Sequence, residues 1–267
     1  MYFQTSYKIS FADCDFLGHV NNSVFADYFL QAVVDALAPN WATSIRLTNI
    51  VIEYQMPIPL AEIMTVKLWF TGVTEVFAQF LNSSGGVSAL GRLTWQSNAA
   101  LDAYVESRLQ PVQVPFVLKP FKVKTLDSEG KPFRWEMNVQ NRDQTLSSHI
   151  SPASIIHWGS EATLNSSARR GWDFHTMVDA NCAVYVLRHE LDVYSHPEMV
   201  WRDHVEITSY LHDVKKVRGT WRHEFTHTRT RTLIARLYIT GAFVTLQGQL
   251  TIPPDGLIDA CLSGDPD

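Results

Sequence analysis

The sequence of 267 residues is long enough for one large domain or for two domains of about 100–150 residues each. Its composition, 46% hydrophobic and 18% charged, is typical of a globular protein with well-filled cores. The formal net charge of −5 gives no electrostatic support for a nucleic-acid partner. No run of about 18 apolar residues is present, so no membrane span is predicted.

The three cysteines, Cys14, Cys182 and Cys261, are few, odd in number and far apart. This pattern favours a reduced, cytoplasmic setting over a disulfide framework. Residues 1–6 have neither a charged n-region nor an apolar h-region, so no secretory signal is predicted. We therefore expect a cytoplasmic protein.

The first predicted element is a strand over residues 7–11, where polar and apolar side chains alternate. Asp15 and Gly18 lie in the segment that interrupts the alternation and predicts a turn. Asn21 is a favourable N-cap for a helix predicted over residues 21–38, which has a wide apolar stripe. The turn therefore places a carboxylate close to a helix N-terminus. Unpaired backbone N–H groups there can hold an oxyanion, which suits acyl-transfer hydrolysis.

Four strands are predicted after this helix, at residues 45–54, 64–70, 75–81 and 87–97. The glycine-rich segment 82–86 predicts a hairpin turn between two of them. One helix followed by several long strands indicates an α+β unit, in which an antiparallel sheet wraps around a helix. Residues 119–132 are rich in lysine and contain Pro120 and Gly130, a composition typical of a linker.

The same order of elements is predicted again in the second half. A strand at residues 133–139 and a turn at residues 141–150 precede a helix at residues 154–170. Ser151 is a favourable N-cap, and Pro152 suits the first helical position. The remaining strands are predicted at residues 184–194, 204–211, 220–230 and 232–246.

Alignment of the two halves predicts an internal duplication. Asp13 aligns with Asp143 at an offset of 130, and Tyr54 aligns with Tyr194 at an offset of 140. Residues 89–93 align with residues 233–237 at an offset of 144. We predict a first repeat at residues 1–118, a linker at 119–132 and a second repeat at 133–267. Two repeats are too few for a solenoid and favour a two-fold pseudo-dimer.

Residues 13–22, Asp-Cys-Asp-Phe-Leu-Gly-His-Val-Asn-Asn, together with Tyr28, resemble the 4-hydroxybenzoyl-CoA thioesterase branch of the hot-dog fold superfamily. The two repeats together are similar to double hot-dog proteins, including the plant and bacterial acyl-ACP thioesterases. The resemblance implies an α+β tandem hot-dog fold, in which two antiparallel sheets, each wrapped on a central helix, pair as a pseudo-dimer. It also implies hydrolysis of an acyl thioester of CoA or acyl carrier protein, without a cofactor or a metal.

The resemblance also implies the site residues. The catalytic aspartate of the family falls on Asp15, and the histidine of its His-Val-Asn-Asn segment falls on His19. A catalytic glutamate of the acyl-ACP branch falls on Glu53. The backbone N–H groups near Asn21 and Asn22 are expected to polarise the thioester carbonyl. Whether Asp15 acts as a general base or as a nucleophile stays open at this stage.

The second repeat departs from the motif at its catalytic position. Thr145 replaces the aspartate, and Ser151 and Pro152 replace the two asparagines, whereas His149, Trp158 and Glu161 persist. We therefore predict one working site per chain, where the turn of the first repeat meets the helix of the second. The first repeat itself departs from the acyl-ACP branch, with Leu17 in place of an asparagine and Gln31 in place of a glutamate.

Several residues have both a functional and a structural interpretation, and the structural one is preferred for each. Cys14 lies between two aspartates that raise its pKa, so it is expected to be a small packing residue rather than a nucleophile. His223 and His227 share one face of a strand, but no further ligand completes a metal site, and we expect solvated histidines. Lysines 119, 122 and 124 suit either CoA phosphates or a solvated linker.

Two alternative functions are also compatible with the sequence. The first is a non-catalytic module that binds acyl thioesters, which the decay of the second motif allows. The second is a hot-dog hydratase or dehydratase, which pairs a histidine with an acid in a different arrangement. A homo-oligomer of double hot-dog chains is left open.

Overall fold

The computed structural model describes residues 2–15, 18–37, 44–108, 111–120, 130–145, 149–199 and 202–265. The chain divides into two compact units, Met1–Pro120 and Phe121–Asp267. Each unit is considered separately below.

The first unit places five antiparallel strands around one long helix. The strands follow the order β1-β3-β4-β5-β2. Their bounds are β1 (Phe3–Lys8), β2 (Leu47–Tyr54), β3 (Ile63–Phe70), β4 (Glu75–Leu81) and β5 (Val87–Trp95). The helices are α1 (Val24–Leu37) and α2 (Ala99–Arg108), and a short 3-10 helix spans Phe11–Asp13.

The second unit repeats this arrangement with longer strands. The strands follow the order β6-β8-β9-β10-β7. Their bounds are β6 (Phe133–Asn138), β7 (Ala183–Val193), β8 (His204–Lys215), β9 (Arg218–His227) and β10 (Thr232–Val244). The helices are α3 (Pro152–Ala168), α4 (Phe174–Asp179) and α5 (Leu257–Leu262), and a 3-10 helix spans Asn141–Asp143.

Apolar side chains hold α1 against its sheet. Phe25 and Phe29 are fully buried and contact Phe80 of β4 edge to face, with ring centroids 5.3 and 5.7 Å apart. Burial of such side chains is the main force that fixes a helix on a sheet. Gly91 of β5 faces Phe29, and a Cβ atom there would lie only 2.7 Å from the Phe29 ring. The absence of a side chain at Gly91 is therefore what allows Phe29 to reach the sheet.

In the second unit, the small residue of the helix–sheet contact lies on the helix and the large residue lies on the strand. Gly159 of α3, 130 residues after Phe29, is the small member, and a Cβ atom there would lie 2.5 Å from Leu237 of β10. The large side chain belongs to the helix in the first unit and to the strand in the second. In the alignment of the two units, Gly91 and Leu237 therefore occupy equivalent positions. Their offset is 146, whereas the sequence alignment predicted 144 for this strand.

The structure also changes the predicted alignment of β2 with β7. Gly91 pairs with Ile52 of β2, and Leu237 pairs with Leu191 of β7. Ile52 and Leu191 are 139 positions apart. The predicted offset was 140. The counterpart of Tyr54 is therefore Val193 rather than Tyr194. Matching of short motifs does not fix this alignment, because it depends on which residues of the neighbouring strands pair.

Three element predictions also differ from the structure. The first strand ends at Lys8 rather than continuing through Phe11, which lies in the 3-10 helix with 84% of its surface exposed. Helix α1 begins at Val24, three residues after the predicted N-cap Asn21. Helices α2, α4 and α5 were not predicted, because they are short or bury few apolar residues. By contrast, Ser151 and Pro152 begin α3 as expected, and the Ser151 Oγ accepts the Ala153 N–H at 3.2 Å.

None of the helices within the described ranges combines the length and the hydrophobicity needed to cross a membrane. The predicted linker at residues 119–132 overlaps positions 121–129, which lie outside the described residues. The predicted repeat boundaries and the pairing of the two repeats stay predictions.

Two of the buried histidines of the second unit, His189 and His223, have a strongly lowered pKa. His223 is fully buried, with its Nδ1 2.8 Å from Ser209 Oγ and its Nε2 3.1 Å from Thr163 Oγ1. Burial lowers the pKa of His189 to about 3, and burial together with proximity to His189 lowers the pKa of His223 to about 3. Both imidazoles are therefore neutral at physiological pH and pack as polar core residues.

We expect Gly91→Ala to destabilise the protein by about 1–3 kcal/mol, because the new methyl group overlaps the Phe29 ring. The measurement is urea unfolding followed by fluorescence. Adding Phe29→Leu should restore part of the lost free energy of unfolding, since it removes the ring from the overlap. If Gly91→Ala is as stable as the wild type, the close contact does not limit this position.

We expect the free energy of unfolding to fall as the pH drops below 6.5, the pKa of a histidine in an unfolded chain. Between about pH 3 and 6.5, His189 and His223 bind protons in the unfolded chain but stay neutral in the folded protein. The free energy of unfolding therefore increases with pH over this range. His189→Gln should reduce the loss between pH 7 and pH 5 by about 2 kcal/mol. The exposed His157→Gln is the control, and equal pH dependence in both variants would refute the interpretation.

Candidate active site

A tight hairpin in the first unit carries the predicted catalytic residues. The Asn21 N–H donates to the Asp13 carbonyl at 2.8 Å, and the Asp15 N–H donates to the His19 carbonyl at 2.8 Å. Cys14 and Val20 form the pair between them. Residues directly opposite in antiparallel segments lie on the same side, so the hairpin brings Asp15 and His19 together.

The hairpin loop is closed by a residue that needs a positive φ. Gly18 has φ of +76°, and its N–H donates to the Asp15 carbonyl at 3.0 Å. This left-handed conformation is strained for residues with a Cβ atom. Phe16 and Leu17, the two remaining loop residues, lie outside the described part of the chain.

The Asp15 carboxylate lies at the loop end of this hairpin. Its Oδ1 accepts the His19 backbone N–H at 3.2 Å, and the side chain is partly buried. The His19 ring is also partly exposed and has no hydrogen-bond partner among the described residues. The arrangement leaves a carboxylate and an imidazole side by side, where they can hold a water molecule and transfer protons.

The first aspartate of the motif, Asp13, makes hydrogen bonds within the first unit. Asp13 Oδ2 accepts the Ser10 N–H and Oγ at 2.7 Å each and the Tyr28 hydroxyl at 2.9 Å. Burial acts to raise the pKa of Asp13, but the hydrogen bonds from Ser10 and Tyr28 outweigh it and lower that pKa. The Asp13 carboxylate is thus ionised and already accepts hydrogen bonds from Ser10 and Tyr28. These bonds connect the start of the hairpin to α1.

The two asparagines before α1 behave differently. Asn21 Oδ1 accepts the N–H of Ser23 at 3.0 Å and its hydroxyl at 2.9 Å, so the Asn21 side chain is used in the turn. The Asn22 carbonyl accepts the Tyr54 hydroxyl at 2.8 Å. Within the described ranges, nothing accepts a hydrogen bond from the Asn22 N–H. Of the two predicted oxyanion residues, Asn22 therefore has the available backbone donor.

Glu53 lies on the other face of the sheet from this donor. Its neighbour Ile52 pairs with Gly91, which faces α1, and Tyr54 also faces the helix through its edge contact with Phe25. Because side chains alternate along a strand, Glu53 projects from the opposite face. Its counterpart Asp192 also projects from that face, so an acid occurs here in both repeats. The catalytic role of Glu53 stays a prediction.

The other candidates from the sequence have structural surroundings. Burial, followed by the charges of Asp13 and Asp15, raises the pKa of Cys14, which opposes a thiolate nucleophile. The sequence analysis expected solvated side chains at His223 and His227, but both are buried. His227 Nδ1 lies 2.8 Å from Thr230 Oγ1.

The described part of the chain contains no group of three side chains suited to a metal ion. Lys119 is exposed, whereas lysines 122 and 124 lie outside the described residues.

The second unit repeats the backbone of the hairpin without its acid. The Ser151 N–H donates to the Asp143 carbonyl at 2.7 Å, and the Thr145 N–H donates to the His149 carbonyl at 2.7 Å. These bonds match those of the first unit at an offset of 130. Thr145 occupies the position of Asp15, and Pro152, which has no N–H, occupies the position of Asn22.

Comparison with known families and structures agrees with this geometry. Residues 1–97, which contain the hairpin, match the family model described as the acyl-ACP thioesterase C-terminal domain. The matched model describes a C-terminal domain, whereas the match here falls in the first unit. No curated protein sequence matches the chain.

Solved structures match the chain over most of its length. A protein from Lactobacillus plantarum provisionally assigned as an oleoyl thioesterase has a TM-score of 0.66 and 12% identity, over 95% of this chain and 98% of that one. An acyl-ACP thioesterase from Bacteroides thetaiotaomicron has a TM-score of 0.65 and 14% identity, over 91% and 98%. The 12:0-ACP thioesterase of Umbellularia californica has a TM-score of 0.62 and 7% identity, over 91% and 94%.

These similarities establish the fold as that of the hot-dog thioesterases. The match to the acyl-ACP thioesterase family model covers residues 1–97 of the 267 and adds a sequence similarity to this likeness of fold. The contact of Tyr54 with Asn22 was not predicted from the sequence, because the Tyr54 hydroxyl reaches Asn22 only through the packing of β2 against α1.

We expect Cys14→Ser to keep at least half of the thioesterase activity, because the raised pKa keeps the thiol protonated. The measurement is the rate of thiol release from acyl-CoA substrates with a thiol-reactive dye. Treatment of the wild type with iodoacetamide at pH 7 should be slow for the same reason. A loss of more than a hundredfold in Cys14→Ser would instead identify a nucleophilic thiol.

Proposed function

We propose that the protein hydrolyses acyl thioesters of CoA or of acyl carrier protein, with Asp15 as the catalytic acid–base group. The observation that carries the proposal is the hairpin that places Asp15 beside His19, five residues before α1 begins at Val24. The match of residues 1–97 to an acyl-ACP thioesterase domain supports the substrate class. The structural similarity to the acyl-ACP thioesterase of Bacteroides and the 12:0-ACP thioesterase of Umbellularia supports it as well.

In the proposed mechanism, Asp15 acts as a general base on water. The water oxygen adds to the thioester carbonyl carbon while its proton passes to the Asp15 carboxylate. The C–S bond of the tetrahedral intermediate then breaks and the carboxylic acid is released. The proton held by Asp15 passes through His19 to the departing thiolate, which restores both side chains. Direct attack by Asp15 would instead give a mixed anhydride. Single turnover in ¹⁸O-labelled water distinguishes the two, because only the anhydride route can place ¹⁸O in the enzyme carboxylate.

The developing oxyanion requires a hydrogen-bond donor close to the start of α1. The Asn22 N–H is the proposed donor, since nothing in the described part of the chain accepts its hydrogen bond. Loss of one such donor typically lowers kcat by about 10²–10³. In the same proposal, Glu53 orients water, and its position on the opposite sheet face makes it the least supported member of the site.

The arrangement of the two repeats is a further part of the proposal. The same strand order and the same hairpin occur in both units, which supports a tandem of two hot-dog repeats at residues 1–118 and 133–267. Two such repeats pairing as a pseudo-dimer would give one site per chain, because Thr145 cannot replace Asp15. A homo-oligomer of these chains and a cytoplasmic location stay predictions.

The decisive variant is Asp15→Asn, which keeps the size of the side chain and removes its basicity. We expect kcat to fall by about 10²–10⁴ on a panel of acyl-CoA and acyl-ACP substrates, because general-base catalysis is lost. Thermal unfolding should change little, since the amide oxygen can still accept the His19 N–H.

The second unit offers a matched control at the equivalent position. Thr145→Asn makes a comparable change at the same place in the second hairpin, and its activity should equal that of the wild type. Undiminished turnover by Asp15→Asn would refute the mechanism. Binding of acyl-CoA by the wild type without thiol release would favour the non-catalytic alternative, and release of water from a 3-hydroxyacyl thioester would favour the dehydratase.

A further inference from the structure

Tyr54 connects the end of β2 to the start of α1. Its ring contacts Phe25 edge to face, with centroids 5.4 Å apart and ring planes at 78°. Its hydroxyl donates to the Asn22 carbonyl at 2.8 Å. Burial raises the pKa of the Tyr54 phenol well above its usual value of 10.0, so the hydroxyl stays protonated and remains a donor at every working pH.

This hydrogen bond fixes Asn22 from one side, and the hairpin fixes it from the other. The Asn21 N–H is bound to the Asp13 carbonyl at 2.8 Å, immediately before the peptide that carries the Asn22 N–H. The Tyr54 hydroxyl holds the carbonyl of the following peptide. With both flanking peptides held, the Asn22 N–H has a defined direction and needs no reorganisation when charge develops on a substrate oxygen.

The second repeat provides an internal comparison, because it keeps the hairpin but has no catalytic acid. The position equivalent to Tyr54 is Val193, which has no hydroxyl, and the position equivalent to Asn22 is Pro152, which has no N–H. The tyrosine and the backbone donor are therefore both present in the repeat with Asp15 and both absent in the repeat with Thr145. A purely structural tie between β2 and α1 would not need to follow the catalytic acid in this way.

We propose that Tyr54 is a positioning residue for catalysis, which orients the Asn22 N–H as the oxyanion donor through its hydrogen bond to the Asn22 carbonyl. Tyr54 does not contact the substrate in this role. The inference rests on the proposed function, in which Asp15 activates water and the Asn22 N–H stabilises the tetrahedral intermediate. It adds a residue that acts on the transition state and not on substrate binding.

The test is Tyr54→Phe, which removes only the hydroxyl and keeps the edge contact with Phe25. We expect kcat to fall about tenfold with KM changed less than twofold, because a loosened donor loses part of the 10²–10³ that a complete donor supplies. A thioether analogue of the best substrate, which has no carbonyl oxygen, should bind the variant and the wild type equally.

Tyr7→Phe is the matched control in the same unit. The Tyr7 hydroxyl donates to Asp35 Oδ2 at 2.7 Å, so this variant also loses one tyrosine hydrogen bond to α1, but far from Asn22 in the sequence. The two variants should lose similar thermal stability, and only Tyr54→Phe should lose kcat. Equal kcat in both variants, or a loss in KM and analogue binding instead of kcat, would overturn the proposal.

The result is separable from failure of the proposed function. If Asp15→Asn keeps full turnover, the proposed mechanism fails, and the role of Tyr54 fails with it. If Asp15→Asn abolishes turnover while Tyr54→Phe keeps the kcat of the wild type, only the positioning role is wrong. A kcat loss in both Asp15→Asn and Tyr54→Phe, with Tyr7→Phe unaffected, supports both.

Discussion

The hydrogen bond from the Asn21 N–H to the Asp13 carbonyl closes the hairpin that carries Asp15 and His19. Without this closure, the carboxylate and the start of α1 would be joined by a freely moving loop. The Asp13 side chain reinforces it, since its carboxylate binds Ser10 on one side and the Tyr28 hydroxyl of α1 on the other. A small backbone ring thus fixes the relative positions of the acid and the helix N-terminus.

The two hairpins separate the groups that both units share from the groups that are proposed to act in catalysis. Both units keep the backbone ladder and an aspartate at its start, Asp13 or Asp143, so these belong to the architecture. Asp15, Asn22 and Tyr54 have no chemical equivalent in the second unit. The first unit therefore combines a common scaffold with a set of groups that a folded hairpin does not need.

The helix–sheet contacts show how two diverged repeats keep one fold. The pair Phe29 and Gly91 in the first unit becomes Gly159 and Leu237 in the second, so the large side chain moves from helix to strand while the contact is kept. Packing density constrains the sum of the two volumes rather than either residue. The same freedom admits buried His223 in the second core, where Ser209 and Thr163 meet its hydrogen-bonding groups.

Local sequence was sufficient to predict the turn at Asp15 and Gly18 and the helix after it, because these depend on neighbours along the chain. Only the tertiary structure decided the register of β2 against β5, which places Glu53 and Tyr54 on opposite faces. It also revealed the bond from Tyr54 to Asn22, since those residues meet only when sheet and helix pack. Contacts between distant segments depend on bulges and on side-chain volumes, and a single sequence does not specify them locally.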